Sequence, residues 1–174
     1  LFPLFIPKGT RLAIRCACTT SSSTMKVSVT TLAGDFFGSA SGAPQQVTCY
    51  GTISSGLGVN VDPGATPDTE TSWIQITAAT ERDHRWLTLA GRWGDLGISA
   101  ATDYRVQIGI GSATEQVLIP DIHVSNENIN DYPVQTVFQY PIFVPKGSRL
   151  SVKMKCSVGT DGDRDAWLVL YGAG

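Results

Sequence analysis

Charge is scarce in this chain of 174 residues: Asp, Glu, Lys and Arg make up 16%, against roughly 25% in an average soluble protein. The 13 basic and 15 acidic side chains leave a net charge of -2. That balance excludes the general electrostatic attraction that draws basic proteins to nucleic acid or to anionic membranes. No apolar run reaches the ~18 residues that a spanning helix requires, so no membrane insertion is expected. Helical patterning is missing too. Nowhere does an apolar period near 3.6 persist for three turns, and only residues 98–101 offer a short helical turn. Histidine occurs twice. The four cysteines, Cys16, Cys18, Cys49 and Cys156, form no C-x-x-C pair and no His spacing that suits zinc. The chain opens on Leu1 without a signal-peptide pattern and reads as processed or partial.

Gly, Ser and Thr fill the place of the missing charge, a composition that suits short strands joined by tight turns. The main internal signal is a repeat at an offset of 138 residues. Phe2-Pro3-Leu4-Phe5-Ile6-Pro7-Lys8-Gly9-Thr10-Arg11-Leu12-Ala13-Ile14-Arg15 matches Tyr140-Pro141-Ile142-Phe143-Val144-Pro145-Lys146-Gly147-Ser148-Arg149-Leu150-Ser151-Val152-Lys153. Each copy reads as strand, Pro-Lys-Gly turn, strand, with proline setting φ and glycine accepting a positive φ. In the second strand of each copy the apolar residues alternate, placing Leu12, Ile14, Cys16 and Cys18 on one face, and Leu150, Val152, Met154 and Cys156 on the equivalent one. Buried free thiols account for these cysteines; a disulfide or a metal role is the alternative. Further strands are read at 25–32, 46–53, 72–78, 85–90, 104–110, 117–124, 134–140 and 166–171 from alternation and β-branched content. The fold class is therefore all-β, an antiparallel sandwich of jelly-roll type. Its core is expected to hold Leu12, Ile14, Leu150, Val152, Trp73, Ile74 or Ile76, and Val106 or Ile108.

Chemistry finds little to rest on. No serine lies in G-x-S-x-G, and no glycine loop or cofactor motif is present, so neither an enzyme nor a bound cofactor is expected. His84, at a charged hairpin tip, and His123, on the polar side of a strand, read as exposed or locally paired. Asp161, Asp163 and Asp165 share the spacing of a calcium loop, but no glutamate follows at the required distance, and a polar turn explains them as well. The aromatics are more useful. Trp86 and Trp93 flank Arg85 and Arg92. Trp86, Thr88 and Ala90 alternate with Arg85, Leu87 and Leu89, and only one set can face a core. Either Trp86, Arg92 and Trp93 are displayed to grip a glycan or a protein partner, or the tryptophans cap the core. Phe36 and Phe37 stand together in a Gly/Ser-rich loop, where local burial is difficult, and are expected at an interface with another subunit or module.

The segments WIQITAAT at 73–80, TDYRVQIGIG at 102–111, EQVLIPDI at 115–122 and YPIFVPKGSRL at 140–150 resemble a recurring β-sandwich module of tailed-phage virion proteins, frequent in marine phages. Modules of that family close on a strand ending in an apolar-Gly pair, as Tyr171-Gly172 does. The resemblance implies that residues 1–34 are the closing strands of a first module, 35–71 a loop or linker, and 72–174 a complete module; the alternative places both repeat copies in a single sandwich. It further implies a virion location and a structural role in a tail fibre, head fibre or capsid decoration. Other virion proteins would be the partners, with a homo-oligomer, such as a trimer, and a host surface glycan as further ones. A carbohydrate-binding module is the rival reading, and a depolymerase a weaker third.

Overall fold

The computed structural model describes residues 6, 9–14, 46–51, 58–94, 102–111, 114–126, 138–159 and 164–174. The chain divides into two compact units, one of Leu1–Phe2 with Gln46–Gly174 and one of Pro3–Gln45. Among the described residues the larger unit has nine strands: β1 (Val47–Tyr50), β2 (Val59–Val61), β3 (Ile74–Thr77), β4 (Trp86–Trp93), β5 (Thr102–Ile110), β6 (Gln116–Asn126), β7 (Phe138–Tyr140), β8 (Leu150–Cys156) and β9 (Ala166–Ala173). No helix occurs among the described residues. One sheet, here called A, runs β1-β9-β4-β7 with β2 also on β9, and the other, sheet B, runs β3-β8-β5-β6.

The antiparallel pairs β1·β9, β3·β8, β4·β7 and β5·β6 are nested one inside another. A long antiparallel ribbon rolled onto itself gives this order, which is the jelly roll anticipated from the alternation. β1 pairs with residues 170–173 of β9 and β2 with residues 166–168. The two thus follow one another along a single edge. Both strands fall within residues 35–71, the stretch expected as loop or linker, and β1 coincides with the strand read at 46–53.

Strand parity builds the core. Leu87 and Leu89 of β4 and Leu168 and Leu170 of β9 face Val106 and Ile108 of β5 and Leu150, Val152 and Met154 of β8. Each such side chain contributes about 1.5–3 kcal/mol on burial. In β6 the inward residues Ile119 and Ile122 are three apart, which strict alternation forbids. A bulge resolves this: Val106 pairs with Ile122 but Ile108 with Ile119, and Asp121 takes φ +41°.

Three expected core residues are not in the core. Trp73 is half-buried on the outside of sheet B, and Leu12 and Ile14 of the first repeat copy are 50% and 54% exposed. Their counterparts Leu150 and Val152 are fully buried, since β8 lies between β3 and β5. The turn glycines of both copies nevertheless share one backbone conformation, with φ +84° at Gly9 and +82° at Gly147. Cys156 is a buried free thiol, as its strand face requires. Cys16, Cys18 and the strand expected at 25–32 lie outside the described residues.

His84 also departs from expectation. Rather than sitting at an exposed tip, it is fully buried. Its backbone forms an antiparallel bridge with Val144, both N–H···O distances being 2.8 Å. Its ring lies against Gly172, where an added Cβ would fall 2.6 Å from the imidazole. Nε2 is 2.8 Å from the Tyr50 hydroxyl, which accepts a further bond from the Glu81 N–H. Burial lowers the imidazole pKa, helped by Arg82 and opposed by Asp83 and Glu81. The neutral ring is the folded form, so its contribution is complete above the unfolded-chain pKa of about 6.5 and is lost as pH falls through that value toward the depressed folded one. Wild-type protein should therefore lose more melting temperature than His84→Gln between about pH 7 and about pH 5. Parallel curves for the two proteins would remove His84 as the cause.

Candidate functional site

The outward residues of the two sheets differ in chemistry. On sheet A, β4 sends Trp86, Thr88, Ala90 and Arg92 outward, opposite the inward Leu87, Leu89 and Trp93. β9 adds Trp167, Val169 and Tyr171, all half-buried. The Arg92 guanidinium sits 5.0 Å from the Trp167 ring centroid, a cation–π contact across the paired residues Arg92 and Trp167. Trp86 shares this face but stands six residues along the strand, roughly 20 Å away at the usual rise. Trp93 has the opposite parity and is only 1% exposed, its ring centroid 5.6 Å from that of Tyr104 across the sandwich. Trp86, Arg92 and Trp93 therefore do not converge on one glycan site, and Trp93 belongs to the core.

The carboxylate candidates fare similarly. Asp165 accepts a 2.8 Å bond from the Asn60 amide through Oδ2, while its backbone carbonyl accepts the Gly94 N–H at 3.0 Å. It clasps the strand edge beside buried Arg164. Asp161 and Asp163 lie outside the described residues, as do Phe36 and Phe37. No group of three His, Cys, Asp or Glu able to hold a metal occurs among the described residues. His123 is exposed, with Nε2 3.7 Å from an Asp103 oxygen.

Sheet B carries a more organised surface. Trp73 directly precedes β3 and lays its six-membered ring across β8 onto Gly109 of β5. A Cβ at 109 would meet ring carbon Cζ3 at 2.7 Å, so only glycine admits the ring in this pose. Lys153 Nζ stands 5.1 Å from the Trp73 centroid and pairs with Glu70 at 2.5 Å. The Gln107 amide nitrogen lies 3.4 Å from both Glu70 Oε1 and Asp121 Oδ1. Alongside, Arg149 pairs with Glu115 at 2.5 Å and donates from Nε to Gln75 Oε1 at 3.0 Å. Surface ion pairs stabilise little, about 0–1 kcal/mol each; these two are partly buried, and their role is to orient the side chains. An isolated glycine inside a strand pattern marks a close approach; Gly109 in Tyr104–Ile110 is the signal that could have revealed Trp73.

No family model and no curated protein matches the chain. Among solved structures it is similar to the crystal structure of the infectious bursal disease virus VP2 subviral particle, at 11% identity and a TM-score of 0.39, over 74% of this chain and 32% of that one. It thus spans about a third of that protein's length. It is also similar to the Eiger TNF structure from S. frugiperda, at 13% identity and a TM-score of 0.32, over 75% of this chain and 93% of that one. At these values neither likeness bears on function.

The opposite parities of the two tryptophans separate packing from display. Trp93→Ala should cost about 3–5 kcal/mol in urea unfolding, the loss of a core aromatic, and Trp86→Ala less than half of that. Equal losses would contradict the assigned parity of β4.

Proposed function

We propose that this chain is a non-catalytic structural module of a virion surface, working through protein contact in particle assembly or host attachment. The virion setting rests on the resemblance of the strand and turn segments to tailed-phage modules, and the jelly roll is compatible with it, although a fold by itself names no function. The observation that carries the contact role is the unequal burial of the two repeat copies. Val144, Leu150 and Val152 are fully buried in the second copy, whereas the matching Ile6, Leu12 and Ile14 are 37%, 50% and 54% exposed. The Gly9 and Gly147 turns agree. The second copy is thus packed into the jelly roll, whereas the described residues of the first copy, 6 and 9–14, hold their matching apolar side chains exposed. Covering them would contribute about 2–4 kcal/mol by transfer area, before ordering costs. Partners able to cover them are other virion proteins or further copies of this chain.

Light scattering on wild-type protein and on a Leu12→Asp, Ile14→Asp double variant tests this reading. The variant should have a lower assembled mass with an unchanged far-ultraviolet β signal. An unchanged mass would count against assembly through this segment.

A further inference from the structure

We propose that His84 and Tyr50 form an acid-released latch on β1, the short edge strand that follows the Pro3–Gln45 unit. The inference goes beyond the assembly role and rests on neither the virion setting nor the exposed side chains of the first repeat copy.

β1 has little else to hold it. It is four residues long and is paired through β9. Of its side chains only that of Tyr50 is buried. The Tyr50 hydroxyl ties the strand to the turn before β4, lying 2.8 Å from His84 Nε2 and accepting the Glu81 N–H at 2.9 Å. At the other end, Gln46 accepts a bond from Arg82 of the same turn. A short edge element with one buried side chain opens at lower free energy than the strands inside a sheet.

Protonation undoes the latch for a geometric reason. The Tyr50 hydroxyl already accepts from Glu81, and its own proton goes to the neutral ring at Nε2. A second ring proton makes both nitrogens donors. The phenol proton then loses its acceptor, and Nδ1, which is buried without a partner, holds an N–H that nothing receives. The charged ring would be enclosed between Tyr50 and the Gly172 backbone.

The surrounding charges do not compensate. The turn carries Glu81 and Asp83 against Arg82 and Arg85, and residues 144–147 add Lys146, whose N–H bonds Asp83 at 2.7 Å. β1, β7 and residues 166–174 add no charged side chain. Burial, helped by Arg82, outweighs Asp83 and Glu81 and lowers the imidazole pKa. Once β1 lifts and water reaches the ring, the proton is taken up at about pH 6.5. Acid therefore favours the opened strand and lengthens the free chain that follows the Pro3–Gln45 unit.

Site-resolved hydrogen exchange on the intact chain, corrected for intrinsic rates, tests the latch. Between about pH 7 and about pH 5, opening of β1 should become up to about 25-fold more frequent, the ratio set by a ring that titrates only when opened. β1 should exchange faster than β5 and β8 at both pH values, and His84→Gln should remove its pH response. Titration of the His84 imidazole by NMR keeps the test decisive if that variant folds poorly, with a midpoint expected below about 6.5. The proposal fails if that midpoint lies at or above the ordinary value, or if β1 opens equally often at the two pH values. It also fails if β1 opens only together with β5 and β8, or if His84→Gln responds to pH as the wild type does. Failure here leaves the light-scattering result on Leu12 and Ile14 untouched.

Discussion

The structure depends first on the pairing of β9 with β4, an unbroken register from Trp86–Ala173 to Trp93–Ala166. It places Leu168 and Leu170 beside the inward leucines of β4 and leaves the other edge of β9 for β1 and β2. It also sets the parity of every residue discussed on sheet A. Slipping the register by one residue would send Trp93, Leu87 and Leu89 outward and bring Arg92 into the core. The energetic cost of burying a guanidinium there makes that alternative inaccessible. The partition between core and display on this face follows from one register.

Two rings outside the hydrophobic core reach their positions by lying on glycine. His84 rests on Gly172 and Trp73 on Gly109. Both are places where the sheet gives up a side chain so that an aromatic can approach its backbone. The consequences differ because the surroundings differ. His84 is enclosed by Tyr50, Val144 and the end of β9, so burial favours its neutral form and ties it to stability. Trp73 is bordered by Lys153 and Glu70 at the outer face of sheet B, so the same packing device leaves its ring half-buried.

The repeat shows how far equal sequence departs from equal setting. Leu12 and Leu150 have nearly the same neighbours along the chain and the same turn before them. β8 is a central strand whose inward face meets the leucines of β4 and β9, which bury Leu150; the described part of the first copy leaves Leu12 half exposed. Alternation predicts which face of a strand is apolar, but burial of that face requires other strands, and these come from distant parts of the chain.

The sequence by itself determined the class of fold, the approximate positions of most strands, the Pro-Lys-Gly turns and the inward faces of β5 and β8, because each is encoded by neighbours within a few residues. Tertiary structure alone decided that β1 and β2 share one edge, that His84 is buried and that Trp93 and Trp86 part company. It also decided that Trp73 leaves the core for Gly109 and that only the second repeat copy is covered. Each of these depends on which strand lies beside which, in residues far apart along the chain, and on a bulge or a glycine that local periodicity does not weigh.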